Sequence, residues 1–213
     1  MTEGAGGAGD RAGGTGERRG GAGDRAGGTG ERARLFVALK LPAEARTAVQ
    51  EWRSAQLARV EGLRLVESEA LHVTLCFLGS RPVGQIDSIA RACCETVAGS
   101  GRPALALGDP IWLPRRRPRV VAIGLVDRER TLAELQLRLA RVLAEGSWYE
   151  PEQRGFRPHV TVARAARSAR LWALELAAPV ALRFLGDEVT LMRSRTGSGG
   201  ARYERLASVT LGG

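Results

Sequence analysis

Lysine is nearly missing from this 213-residue chain: Lys40 is the only one among 32 basic residues. Histidine is scarce too, with two residues, and aromatics make up 5%. No apolar run approaches the roughly 20 residues that span a bilayer, and the N-terminus lacks the charged-then-apolar order of a secretory signal. A soluble, cytoplasmic protein with no membrane contact is expected. The three cysteines, Cys76, Cys93 and Cys94, are odd in number and lack a Cys-x-x-Cys spacing. That argues against a disulfide framework or a structural zinc site and leaves reduced thiols. Two histidines without a clustered carboxylate make no zinc or iron site, so neither metal nor cofactor is expected. A nucleophile elbow and a Cys–His spacing cue are also missing, which argues against serine- and cysteine-hydrolase chemistry.

Arginine is what the chain has in plenty, and it carries nearly all of the positive charge behind a net +9. Guanidinium forks match phosphate oxygens, so such a surface suits polyanions. A biased Ala-, Gly- and Arg-rich composition accounts for the same numbers, and charge by itself does not choose between the two. The arginines start in a tail, residues 1–33, where the unit Gly9-Asp10-Arg11-Ala12-Gly13-Gly14-Thr15-Gly16-Glu17-Arg18 returns from Gly23, 14 residues on (23 − 9). No hydrophobic residue larger than alanine follows Met1 there, so the segment cannot bury enough apolar surface to offset its ordering entropy. A flexible tail is expected, and a mis-assigned translation start explains the segment equally well.

The folded part is expected over residues 34–213. Leu35–Leu39 reads as a buried strand. Pro42 then opens a helix with Ala45, Ala48, Val49 and Trp52 on one face. Leu71–Leu78 is the next strand, ended by Gly79, and a second helix carries Ile86, Ile89, Ala90, Cys93 and Val97. Strands are expected at Ala104–Leu107 and Ile111–Leu113. The order then repeats: a strand at Val120–Leu125, a helix with Leu132, Leu135, Leu139, Val142 and Leu143, a strand at Pro158–Ala163 and a weaker helix near Ser168–Leu176. Strands at Val180–Phe184, Glu188–Arg193 and Tyr203–Val209 close the chain, the last two flanking a glycine-rich hairpin connection at Thr196–Gly200.

Both histidines fall in the same tetrapeptide, His72-Val73-Thr74-Leu75 and His159-Val160-Thr161-Val162, 87 residues apart (159 − 72). The strands before them, at Leu35 and Val120, lie 85 apart (120 − 35). Near-equal offsets suggest two related lobes facing each other across an approximate two-fold axis. Because strand side chains alternate, each strand presents an imidazole and a hydroxyl on one face and an aliphatic pair on the other. A single His-x-Thr is more often structural; the informative fact is its duplication.

These residues resemble the two-histidine (2H) phosphoesterases, and among them the RNA 2′,3′-cyclic phosphodiesterase and 2′–5′ RNA ligase branch. The resemblance runs from Arg34-Leu35-Phe36-Val37-Ala38-Leu39 and Leu41-Pro42, through Leu71-His72-Val73-Thr74-Leu75-Cys76-Phe77-Leu78-Gly79 and Phe156-Arg157-Pro158-His159-Val160-Thr161-Val162-Ala163-Arg164, to Gly200-Ala201-Arg202-Tyr203-Glu204-Arg205-Leu206. The two histidine segments are specific, and the flanking ones supportive. Ala122 departs from the tryptophan carried there by many relatives, which bears on substrate preference rather than on the chemical step.

The expected fold is α+β: two pseudo-symmetric lobes, each a mostly antiparallel sheet with helices on its outer face, with the active-site cleft between them. The resemblance implies hydrolysis of RNA 2′,3′-cyclic phosphate ends to 2′-phosphates, His72 donating a proton and His159 accepting one. Imidazoles suit these tasks because both protonation states are populated near neutral pH. Thr74 and Thr161 are candidates for holding the phosphoryl oxygens. Arg157, two residues before His159, is a phosphate-binding candidate if the strand reaches it, whereas strict alternation sends Arg164 to the opposite face. The run Arg115–Arg117 reads as an exposed loop that either guides RNA or is merely solvated. Tyr203 is a candidate for stacking on a base, and Phe156 suits the core better. A monomer acting on RNA or a nucleotide with a cyclic phosphate end is expected. Competing activities are 2′–5′ ligation, hydrolysis of small cyclic nucleotides, and RNA binding without turnover.

Overall fold

The computed structural model describes residues 1, 30–114, 116–166, 175–197 and 200–212, so all of the tail but Met1 and residues 30–33, together with Arg115 and most of the helix expected near Ser168–Leu176, lies outside the described residues. The first strand, β1, runs Arg32–Lys40, two residues ahead of the expected start of the fold. It is anchored there because Ala33 is buried and the Arg32 guanidinium donates to the Ser80 carbonyl and hydroxyl. Pro42 precedes α1 (Ala43–Leu57), whose face of Ala45, Val49, Trp52 and Leu57 is buried. The chain then forms a three-residue strand β2 (Leu63–Leu65), a short 3-10 turn (Ser68–Ala70), β3 (His72–Pro82) and α2 (Ile86–Val97).

The second half supplies β4 (Ala104–Leu113), β5 (Val120–Val126), α3 (Thr131–Glu145) and β6 (His159–Ala165). The Asp127 carboxylate accepts the Ala133 N–H at 2.9 Å and so caps α3. Three more strands follow: β7 (Arg183–Leu185), β8 (Glu188–Gly197) and β9 (Gly200–Thr210). The last two pair up to Gly197 and Gly200, as the hairpin reading requires. β7 starts three residues later than the expected strand at Val180, a residue that is 80% exposed and has no core behind it. The two strands expected between residues 104 and 113 are one strand with an irregularity between Leu107 and Pro110, which lets proline sit in a ladder.

All described strand pairings are antiparallel, in the order β7-β4-β5-β6-β3-β1-β8-β9, with β2 alongside β6. Each half keeps the same arrangement about its histidine strand, β6-β5-β4-β7 against β3-β1-β8-β9. The halves are joined edge to edge through one registered pair between β3 and β6, Val73 with Val160, and three between β2 and β6. The helices bind them further. α1 follows β1 but touches β7, and its Trp52 indole donates to the Ala177 carbonyl at 2.7 Å. α3 follows β5 but packs against β3 and α2. One continuous apolar core, including Leu35, Val73, Leu139 and Val160, therefore serves both lobes. Among the described residues no helix is long and apolar enough to cross a membrane.

Candidate active site

The Val73–Val160 pair fixes the site. Both valines are fully buried, so the residues on either side of each face the other way. Counting outward in an antiparallel register, His72 stands towards Thr161, and Thr74 towards His159. The two imidazoles and two hydroxyls thus occupy one face at the seam between the halves, and all four residues are half-buried. Neighbouring strands repeat the correspondence. Ala38 pairs with Thr74 as Ala122 pairs with Thr161, and Lys40 pairs with His72 as Gly124 pairs with His159. Ala122 is thus the counterpart of Ala38, both small and both buried.

Each imidazole is oriented by the carbonyl two residues upstream: His72 Nδ1 lies 2.7 Å from the Ala70 oxygen, and His159 Nδ1 lies 2.8 Å from the Arg157 oxygen. A carbonyl only accepts, so Nδ1 carries the proton in both rings and Nε2 is the atom left for chemistry. His72 Nε2 is 3.1 Å from the Thr74 hydroxyl, which donates to it while the ring is neutral. The His72 ring stacks on Phe36 at 4.9 Å and meets Tyr203 edge-on at 5.2 Å. Burial lowers its pKa to about 4, against the pull of the Ala70 carbonyl, with the Arg164 and His159 charges pushing the same way as burial.

The pairing of β6 with β5 overturns the alternation argument that sent Arg164 to the other face. Val121 pairs with Ala163 and Ala122 with Thr161, so Val162 is an extra residue, a β-bulge. Val162 and Ala163 both point into the core, and Arg164 returns to the cleft face. The bulge recurs in the first half: Val37 pairs with Cys76 and Ala38 with Thr74, leaving Leu75 extra. Leu75 and Cys76 are both buried, and Phe77 returns to the cleft face 43% exposed, with the Arg34 guanidinium 4.8 Å above its ring. Phe77 and Arg164 are therefore equivalent positions, 87 residues apart (164 − 77). The sequence signal was two consecutive apolar residues, Leu75-Cys76 and Val162-Ala163, where alternation calls for one.

For Arg157 the condition on the strand is not met. The strand begins at His159, so the alternation that was to aim Arg157 at the cleft does not extend to it; its side chain is exposed, and what it supplies is the carbonyl that orients His159. Tyr203 lies beside His72, while Phe156 packs half-buried against the core. Arg116 and Arg117 are exposed. The buried thiols of Cys76 and Cys93 are pushed up to about 12 by desolvation, so they stay protonated and unreactive.

The family model described as the 2′-5′ RNA ligase superfamily matches residues 41–198. Over 140 residues the chain is 34% identical to the RNA 2′,3′-cyclic phosphodiesterase of Escherichia coli (strain K12), spanning 64% of this chain and 74% of that protein. The solved structure of TT0787 from Thermus thermophilus is similar in fold, with a TM-score of 0.73 at 24% identity, covering 84% of this chain and 97% of the other. That of E. coli LigT complexed with 3′-AMP has a TM-score of 0.67 at 28% identity, covering 85% of this chain and 98% of the other.

Proposed function

Because the chain belongs to the 2′-5′ RNA ligase superfamily, we propose that it opens RNA 2′,3′-cyclic phosphate ends to 2′-phosphates, using His72 and His159 and no metal. The observation that carries this reading is the seam at Val73 and Val160, which turns two His-x-Thr elements from separate halves onto one face with both Nε2 atoms unclaimed by main chain.

In the proposed reaction a water attacks phosphorus while His159 Nε2 takes its proton. The bond from phosphorus to the 3′ oxygen breaks, and that oxygen leaves with the proton from His72 Nε2. The product is a 2′-phosphate beside a 3′ hydroxyl, and the two histidines have exchanged protonation states. Each positioned transfer contributes about 10²–10⁴ in rate. Thr74, Thr161 and Arg164 hold the non-bridging oxygens as charge builds on them. A pKa of about 4 leaves His72 neutral at pH 7 in the empty cleft. The anionic phosphodiester therefore has to restore its proton, since an opposite charge within hydrogen-bonding reach favours the imidazolium. Substrate binding and arming of the acid are then one event.

The test is incubation with a 2′,3′-cyclic-phosphate-ended oligonucleotide in EDTA, identifying the product isomer by NMR. Turnover to the 2′-phosphate is expected. A 3′-phosphate product, or activity lost in EDTA and restored by a divalent ion, would remove this mechanism. Tight binding without turnover would leave an RNA-binding module instead.

A further inference from the structure

β2 is three residues long and has one outward-facing side chain. Leu63 and Leu65 pack against the core, while Arg64 between them is exposed. In the pairing of β2 with β6, Arg64 stands directly opposite Arg164, so it shares the cleft face with it. Cβ atoms of directly opposed residues lie about 5 Å apart, and like charges so placed repel. Ion pairs relieve other arginines of this chain: Arg46 with Glu69, Arg193 with Glu31, Arg195 with Glu204 and Arg205 with Glu188. Among the described residues, no carboxylate makes such a pair with Arg64 or Arg164. Two opposed guanidinium groups at the rim of a phosphate-handling cleft fit together best with anions between them.

The position says which anion. Along its free edge β6 pairs first with β3, at Val160. Next the Val162 carbonyl accepts the Val66 N–H at 2.9 Å, and beyond that the strand pairs with β2 at Ala163–Ala165. Arg64 and Arg164 therefore stand level with each other beyond the histidines, and of the two it is Arg164 whose charge acts on His72, which leaves Arg64 the further from the reacting phosphorus. In RNA the terminal nucleotide carries its next phosphate on the 5′ oxygen, whereas a nucleoside 2′,3′-cyclic phosphate has none there.

We propose that Arg64 binds the internucleotide phosphodiester on the 5′ side of the terminal nucleotide, Arg164 holding the cyclic phosphate, and that the pair selects RNA ends over free cyclic nucleotides. The proposal rests on the cyclic-phosphate reading above and adds a binding residue and a substrate preference to it. Arg64 is a specificity residue, acting through KM more than kcat.

The experiment compares kcat/KM of the full-length chain and its Arg64→Gln and Arg64→Lys variants on three substrates. These are adenosine 2′,3′-cyclic phosphate, the same nucleotide with a 5′-phosphate, and the dinucleotide ApA ending in the cyclic phosphate. The wild type is expected to favour the last two, and Gln at 64 to reduce that preference about tenfold or more, in the range of a hydrogen bond to a charged group. The slope of log KM against log salt for ApA should fall by about one phosphate contact, and Lys should restore part of the preference. Equal loss on all three substrates, or no loss on any, overturns the proposal. So does a loss confined to ApA with the 5′-phosphorylated nucleotide unaffected, which would mean a contact beyond the phosphate. If the wild type hydrolyses none of them, the functional reading fails. Binding of ApA 2′-phosphate against adenosine 2′-phosphate, with the same variants, then decides the role of Arg64 separately.

Discussion

The two halves of the cleft carry the same His-x-Thr elements in different surroundings. Around His72 the supporting positions are aromatic: Phe36 lies beneath the ring, Tyr203 at its edge, and Phe77 is exposed further along β3. Around His159 the equivalent positions are Val120 and Arg164, which pair with each other as Phe36 pairs with Phe77. One half thus carries aromatic rings, with the Arg34 guanidinium over Phe77, and the other places Arg164 on the cleft face, opposed by Arg64 on β2. A duplicated pair of His-x-Thr elements makes a symmetric centre, but a nucleotide has a base at one end and a phosphate chain at the other. Breaking the symmetry around the histidines gives the cleft a direction. On the proposed function, the base lies over the aromatic half and the RNA backbone leaves over the arginine half.

The largest effect should come from the histidines, where the halves are alike. His72→Ala and His159→Ala are each expected to reduce cyclic-phosphate hydrolysis by about a hundredfold or more while keeping a native thermal melt. Near-full activity in either variant would end the two-histidine mechanism. Next come the positions at which the halves differ. Arg164→Ala should cost about ten- to a hundredfold whatever the terminal base, with partial recovery in Arg164→Lys. Thr74→Ala and Thr161→Ala should each cost about tenfold with the melt unchanged, and collapse of the fold instead would give the hydroxyls a structural role. Phe77→Ala should raise KM several-fold, more for purine than for pyrimidine ends, as expected for lost stacking. If Phe77→Ala and Arg164→Ala behave alike across bases, the division of the cleft is wrong.

The smallest effect concerns pH. His72 has a folded-state pKa of about 4, below the ordinary value of 6.5, so the unfolded chain takes up the proton first as pH falls. Stability from this group is complete above about 6.5 and is lost as pH drops towards about 4, by at most about 3 kcal/mol. His72→Gln should flatten that limb of a denaturation series. An NMR titration of the wild-type His72 imidazole should find a midpoint near 4, moved upward by a bound 2′-phosphate nucleotide. A midpoint near 6.5 in the empty protein would show that the Phe36 and Tyr203 packing does not desolvate the ring.

Much of this was legible in the chain because it depends on local pattern. The 3.6-residue apolar spacing marked α1, α2 and α3, and the apolar runs marked β1, β3, β5 and β6. The α+β architecture with an antiparallel sheet followed from their order and the family resemblance. β2 escaped notice because three residues carry no period. The fusion of two lobes into one sheet depends on one registered pair between β3 and β6 and three between β2 and β6, which leave no trace in composition.

By itself, the sequence determined that two histidines sit in duplicated His-x-Thr strands, and hence which side chains are candidates for proton transfer. Tertiary structure alone decided their company. Strand alternation is a local rule, and counting from His72 or His159 sends Phe77 and Arg164 into the core. Whether a strand keeps that count depends on the partner it pairs with. Against β5, β6 takes up one extra residue, Val162, and against β1, β3 takes up Leu75 and then Leu78, so the side chain that follows each first bulge pair, Arg164 or Phe77, changes face. That cross-strand mismatch turns an aromatic and an arginine into the walls of the cleft.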